Sequence, residues 1–597
     1  MRRSPMEILG WAVLGLLLLG TLIGAVALDR AKLPLLGDEA TFAMQAASLA
    51  WDFDLAYTRV DYDRFVHHWG MPPEGLILQS RPGSDRLTYG KPPLYALVIA
   101  PFVRVAPVKG PVIANALLLA AASLLAAAAL RRRIGAAAPL WVAAFVFASV
   151  AFAYVFWGDA DLFLMAAVAA GFALVYWGDR RYSRAEDDMP QVYQGEDVQP
   201  ARGFLFRWLG AGALLGIAVV FRPPYLALAL PALLAAWSTI RIRRWQAVAG
   251  LVLGLIVTPL LSMGLQALAG GDPTGYGGQR QGIYARESFP EVDFPANQWS
   301  DRVQKEGNAS WIQRDAVKPM VDPPVLGAWN LLYFFVGRNV GVLPYFLPLV
   351  LGLIAFQRDR GRWAILLAVA VVALFFLFVR PFNFYGGGAL GNRYFLPLYP
   401  ALWFLAARPA RPVLALIVAV LASPFLSYLW MHPTAYPIRE DGQPAHVRAL
   451  AQRFLPYETT QASAPGQEVA VGGGLWVKLL NHNVWTTSRT GMLRVAGGSE
   501  ARLLVGSPQP LDSLHFEFDQ NAPSRLVLGG EELRPFVLKP DGYVIFEIPL
   551  LEPRAVHPLW WTPYNYHLYE IDFRLSGAPS RPIGLHILPP RDLIQRR

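Results

Sequence analysis

The sequence predicts a polytopic α-helical membrane protein of about eleven transmembrane helices, followed by a C-terminal β-sandwich-like domain. Three observations predict it. Of the 597 residues, 54% are hydrophobic and only 16% are charged, whereas an average soluble chain carries about 25% charge. The apolar residues fall into uncharged runs long enough to cross a bilayer, which takes roughly 17–25 helical residues. After residue 431 the long runs stop, and short strand-like stretches separated by turn residues begin.

Arginines orient the runs, because basic residues mark cytoplasmic ends. Run one, 8–28, follows Arg2 and Arg3, so it starts inside and delivers Asp38 and Glu39 outside. Its apolar length exceeds the roughly 7–15 residues of a cleavable signal, so it reads as an uncleaved anchor. Residues 40–51 read as a short amphipathic helix in an outer loop. Residues 93–107 are apolar but short and interrupted by Arg104, which fits a re-entrant or interfacial helix. Counting them as a span would place Arg131–Arg133 outside.

Runs two (111–130), three (134–157) and four (162–178) follow, with Asp159 and Asp161 at the outer turn between three and four. Runs five (204–221) and six (225–240) flank Arg222, and run seven (245–269) leads outward. A second outer loop begins at 270. Runs eight (339–357), nine (363–379), ten (394–407) and eleven (412–431) complete the membrane part. The expected division is therefore a membrane domain over 1–431, with outer loops 29–110 and 270–328, and an outer β-rich domain over 432–597. In that domain strands are expected at 514–518, 525–528, 543–548 and 567–575.

The formal net charge of +10 comes with arginines set between apolar runs. That is a topology signal and excludes a nucleic-acid-binding role. The chain has no cysteine, which excludes disulfides, thiolate metal sites and cysteine nucleophiles.

Charge near a bilayer is costly, so charges that persist there are candidates for function. On this topology Asp38, Glu39, Lys91, Asp159, Asp161, Arg222, Arg338, Arg380 and Arg393 all collect at the outer side. Cations there can hold a lipid phosphate and stabilise it as a leaving group. A carboxylate can take a proton from an acceptor hydroxyl. Singly, each has a plainer reading, as a solvated helix-end carboxylate or an arginine snorkelling to the interface.

The ordered set resembles the GT-C membrane glycosyltransferases, specifically the protein O-mannosyltransferase and aminoarabinose transferase superfamily. The residues that carry the resemblance are Gly37-Asp38-Glu39 opening the first outer loop and Lys91-Pro92-Pro93-Leu94-Tyr95 closing it. They continue with Arg131–Arg133 ending a span, Asp161-Leu162-Phe163-Leu164 opening the next, and Arg393-Tyr394-Phe395-Leu396-Pro397. The resemblance covers roughly residues 1–430 and implies an inverting transfer of a sugar from a polyprenyl-phosphate donor to a hydroxyl of a lipid, glycan or protein. It implies that Asp38 is the base, supported by Glu39, and that Lys91 contacts the phosphate. Asp161, or Asp159 beside it, would be the second acid. Arg222 and Arg393, with Arg380 and Arg338 further candidates, would be phosphate partners. A monophosphate donor requires no metal, although Asp159-Ala160-Asp161 formally fits a DxD pattern. The implied setting is the cell inner membrane, with the cleft and C-terminal domain outside.

Other signals are weaker. The glycines of 385–392 can admit a phosphate or form a plain turn. Asn308-Ala309-Ser310 is a formal glycosylation sequon. Trp560, Trp561, Tyr564, Tyr566 and Tyr569 can stack on sugars or fill a sandwich core. His515 and Glu517 share a strand face without further ligands. A polyprenyl-diphosphate-dependent polysaccharide polymerase or ligase is the second functional reading, and a lipid-linked sugar transporter the third. The acidic pair after run one speaks against the second, and spans free of mid-bilayer charge speak against the third.

Overall fold

The protein is described here from a computed structural model. It describes residues 4–28, 35, 37–73, 76–80, 86–177, 203–239, 244–274, 279–283, 292, 323–337, 339–381, 383–386, 390–431, 455–456 and 458. In the C-terminal part it describes 468–472, 475–479, 484–486, 493–495, 500–507, 510–518, 525–538, 544–550, 567–576 and 583–588. Arg338, the sequon at 308–310, the polar loop 179–202, most of 270–322 and the aromatics Trp560, Trp561, Tyr564 and Tyr566 lie outside the described residues.

Contacts divide the chain into two compact units. The first comprises Met1–Ser300, Tyr345–Phe375 and Arg393–Thr434; the second comprises Asp301–Pro344, Phe376–Asn392 and Ala435–Arg597. Composition alone places one boundary at 431/432. The contacts instead group 301–344 and 376–392 with the C-terminal part, where the buried Glu458 carboxylate holds the turn at Asn339 and Val340.

The first unit is helical: α1 (Pro5–Ala27), α2 (Asp38–Trp51), α3 (Arg59–Trp69), α4 (Leu94–Val105), α5 (Gly110–Ile134), α6 (Ala138–Phe147), α7 (Asp161–Tyr176), α8 (Phe204–Phe221), α9 (Ala229–Trp237) and α10 (Arg244–Leu268). Among the described residues, five helical stretches are long and apolar enough to cross a membrane: Pro5–Ala27, Gly110–Phe147, Phe204–Phe221, Arg244–Leu268 and Arg360–Val379. The protein is a polytopic membrane protein. Within Gly110–Phe147, Gly135 at φ +73° ends α5, and α6 packs against α5.

Several of the eleven expected runs are broken into short pieces. Run three ends as a 3-10 helix over Val150–Phe156, and run six begins as one over Pro223–Leu228. In run ten only Tyr399–Trp403 is α-helical, and run eight contains Val342–Tyr345 and Leu349–Ile354. In runs six, eight and ten, prolines 223, 224, 344, 348, 397 and 400 stand in or beside the breaks, where each removes a backbone donor. Irregular backbone at membrane depth is tolerated where protein covers it, and every residue of Val150–Phe156 is buried.

Helices α8 and α10 touch backbone to backbone. A Cβ added to Gly212 would lie 2.0 Å from the Leu251 carbonyl oxygen, and one on Gly254 would lie 2.2 Å from that of Leu209. Small residues spaced by four let helices in lipid approach this closely.

A small antiparallel sheet sits in the first unit, in the order β2 (Thr88–Tyr89), β1 (Leu76–Ser80), β3 (Gln279–Ile283). It joins the first loop to the segment after α10, with Leu76 opposite Ile283 and Ser80 opposite Gln279.

The second unit contains a sandwich of two antiparallel six-stranded sheets. Its strands are β4 (Glu468–Gly472), β5 (Leu475–Leu479), β6 (Val484–Thr486), β7 (Leu493–Val495), β8 (Glu500–Ser507), β9 (Ser513–Phe518), β10 (Arg525–Leu528), β11 (Glu531–Leu533), β12 (Val537–Leu538), β13 (Val544–Pro549), β14 (His567–Ser576) and β15 (Ile583–Leu588). One sheet runs β11-β10-β14-β8-β5-β4, the other β12-β13-β9-β15-β7-β6. Alternation sorts the side chains by face: Leu514, Phe516 and Phe518 are buried, and Phe516 meets Phe573 of the other sheet at 5.3 Å between rings. The four strands expected from sequence correspond to β9, β10, β13 and β14. Tyr569 belongs to this core, where its hydroxyl accepts the Leu511 N–H at 2.7 Å.

Candidate active site

The site is built from five chain segments of the first unit. Gly37, at φ +58°, lets the chain turn directly into α2. Asp38 and Glu39 fall in the first turn of that helix, where its dipole favours negative charge. The Thr41 hydroxyl donates to the Gly37 carbonyl at 2.8 Å and accepts the Ile77 N–H at 2.9 Å, tying α2 to β1.

Farther along α2, the buried Gln45 side chain donates to the Lys91 carbonyl at 3.0 Å. This fixes the backbone just before Pro92 and Pro93, so the Lys91 ammonium reaches Asp38 at 2.6 Å. Tyr95 donates from its hydroxyl to Asn115 of α5 at 3.0 Å, and the Asn115 amide donates to the Trp157 carbonyl at 2.9 Å. The Lys-Pro-Pro-Leu-Tyr stretch is thereby connected to the turn that carries Asp159 and Asp161.

Glu39 makes a different contact. It is buried and accepts the Gly158 N–H at 2.8 Å. A Cβ on Gly158 would come within 3.1 Å of the Glu39 side chain, so the close approach uses the glycine. Glu39 therefore docks the Asp159 turn onto α2.

Arg393 is the hub. One terminal guanidinium nitrogen lies 3.1 Å from Asp38 and 2.5 Å from Asp159, and its Nε donates to Asp161 at 2.6 Å. The guanidinium also lies 4.5 Å from the Trp157 ring centre. Arg222, at the end of α8, donates to the other Asp161 oxygen at 2.5 Å and to the Tyr225 hydroxyl at 3.3 Å. Tyr225 in turn donates to the Tyr394 carbonyl at 2.8 Å.

These groups surround a small cleft lined by Asp38, Phe42, Lys91, Asp159, Ala160, Asp161, Leu164, Phe221, Arg222 and Arg393. Three carboxylates face three cations. The Asp38 side chain is 23% exposed and that of Asp161 only 1%. Burial opposes ionisation of Asp38, but Lys91 and Arg393 outweigh it and hold the carboxyl well below the usual range. Asp159 goes the other way. Burial pushes it up to about 7, with Asp161 and Asp38 adding to the rise and Arg393 opposing it.

Six of the nine sequence candidates thus line one cleft, and Glu39 supports it from behind. Arg380 is exposed at the end of the helix Arg360–Val379 and is not among the lining residues. Arg338 lies outside the described residues. Gln45, Asn115, Trp157 and Tyr225 were not candidates, being uncharged. A spacing signal existed for Tyr225 alone, three residues after Arg222.

The fold and the cleft define a polytopic membrane protein with an ionic site at the ends of its helices. The sequence matches no protein-family model and no curated protein. Among solved structures it is similar to ArnT from Cupriavidus metallidurans bound to undecaprenyl phosphate, with a TM-score of 0.39 and 16% identity over 74% of this chain and 68% of that one. The apo state of the same protein gives a TM-score of 0.38 at the same identity and coverage. Likeness this faint leaves function to be argued from the site.

Proposed function

We propose that the protein is an inverting glycosyltransferase of the GT-C type. It moves a sugar from a polyprenyl-phosphate donor to a hydroxyl of a lipid, glycan or protein acceptor on the outer face of the cell inner membrane. The observation that carries this reading is the cleft itself: Asp38, the most exposed of its three carboxylates, sits on Lys91 and Arg393.

In this reading the donor phosphate enters the cleft and takes Lys91 and Arg393 as partners. Losing those cations makes Asp38 a stronger base when the donor is bound, because its ionised form is no longer favoured by them. Asp38 takes the proton of the acceptor hydroxyl, whose oxygen attacks the anomeric carbon. The carbon–oxygen bond to phosphate breaks, and the lipid phosphate leaves with the electron pair, held by Lys91, Arg393 and Arg222. Asp161 orients both arginines and Glu39 orients the Asp159 turn. The lipid phosphate leaves as a monoester of up to two negative charges, which three cations can neutralise, so in this reading the reaction needs no metal, and chelation is expected to leave turnover unchanged.

The test is transfer in vitro from a panel of polyprenyl-phosphate sugars. Asp38→Asn is expected to lower turnover by about 10²–10⁴-fold, the usual worth of a positioned base. Unchanged turnover sinks that assignment. Lys91→Ala is expected to weaken donor binding more than acceptor binding. Inactivity with every monophosphate donor, together with activity on a diphosphate donor, replaces this reading with a polymerase or ligase.

A further inference from the structure

Glu458 is the one buried carboxylate described in the segment between the last membrane helix and the sandwich, and it is fully buried. One oxygen accepts the backbone N–H of Asn339 at 2.6 Å and that of Val340 at 3.0 Å. The other accepts the Asn339 side-chain amide at 3.0 Å. Gly337 makes room for it, since a Cβ there would lie 2.5 Å from the carboxylate oxygen. The turn held this way does one more thing. Its Asn339 carbonyl accepts the N–H of Gly391 at 2.7 Å. Gly391 has φ +80°, Asn392 after it is buried, and the next residue in the chain is Arg393.

We propose that Glu458 is a positioning residue for Arg393, acting through the Asn339 turn and Gly391. The proposal rests on reading the cleft as the transfer site. Two backbone N–H groups and an amide could be satisfied by any neutral acceptor. A carboxylate makes these bonds charge-assisted, shorter and stiffer. Stiffness matters here because Arg393 must touch three carboxylates at once, and small displacements of such a group are costly to rate.

The experiment compares the full-length wild type with Glu458→Ala and Glu458→Gln. It measures transfer kinetics per folded molecule and hydrogen–deuterium exchange of the peptides covering 337–341 and 390–395. In Glu458→Ala, kcat is expected to fall by about tenfold or more, with a smaller change in donor KM. Exchange is expected to rise in both peptides. Glu458→Gln is expected to fall between the wild type and Glu458→Ala in both readouts, because its amide oxygen can still accept the two backbone N–H groups while the Asn339 amide turns over, but without the charge assistance. A merely structural role would lower the yield of folded protein and leave kcat per folded molecule unchanged, which overturns the proposal. So does exchange that rises at 337–341 alone. If the wild type transfers from no polyprenyl-phosphate sugar, the functional reading fails by itself, and exchange at 390–395 still decides the linkage.

Discussion

Two groups of ion pairs in this molecule use the same residue types in opposite surroundings. In the cleft, Asp161 lies between Arg222 and Arg393 with its side chain only 1% exposed. On the sandwich, Arg502 of β8 stands opposite Asp572 of β14, pairs with it at 2.9 Å and also contacts Glu570, with its own side chain 45% exposed. Exposed pairs of the second kind contribute little, because water and salt screen them and the long side chains lose freedom. Buried pairs of the first kind are also poor stabilisers in net terms, since both charges were taken out of water. What differs is the consequence of removing one partner. On the sandwich the survivor returns to solvent; in the cleft it is left buried without its counter-charge. A cluster that costs this much to assemble and to break fits a site kept for its chemistry rather than for stability.

The sharpest way to break the comparison is Asp161→Ala. It strands Arg222 and part of Arg393, and a loss of about 3–5 kcal/mol is expected, the usual result of removing one buried partner. Thermal unfolding in detergent measures it, and a loss below that of Arg502→Ala on the sandwich would erase the contrast.

Asp159→Asn probes the same cluster through pH. With its folded value near 7 and an unfolded value of about 4, Asp159 holds a proton in the folded chain that the unfolded chain has released. Its contribution to stability therefore falls as pH rises from about 4 to 7 and is flat above. Asp38 acts in the opposite sense, since its depressed value adds stability that is present above about pH 4 and lost as pH drops below it. In the window between, the wild type should lose stability on the order of 1–3 kcal/mol that Asp159→Asn does not lose. Unfolding curves at pH 5 and 7.5 compare the slopes, and equal slopes would remove Asp159 as their source. The smallest effect belongs to Arg502→Ala, expected to cost less than about 1 kcal/mol and to leave transfer unchanged.

The charged part of the site was legible because charge at the edge of a long apolar run stands out. Asp38, Lys91, Asp159, Asp161, Arg222 and Arg393 all do so. Their supports did not. Gln45 and Asn115 are single uncharged polar residues inside helices, and nothing local says that they reach the Lys91 and Trp157 carbonyls. The pairing of β3 with β1 spans some 200 residues of chain, beyond the reach of any periodicity. A hydropathy run reads as a uniform helix and does not say where the chain breaks into 3-10 turns or short helices. The sandwich strands were readable because one buried face imposes alternation. Arg380 shows the converse limit: an arginine at a helix end carries the same signal whether or not it lines a cleft.

The glycine seam between α8 and α10 sets the height of Arg222. The helix that ends at this arginine is gripped at Gly212, ten residues earlier, which at 1.5 Å per residue is roughly 15 Å away. A survey of tolerated substitutions should therefore find two kinds of intolerant position. Some bear charge and face the cleft. Others, Gly212 and Gly254 first among them, bear no side chain, face another helix, and would silence the protein by displacing a residue they never touch.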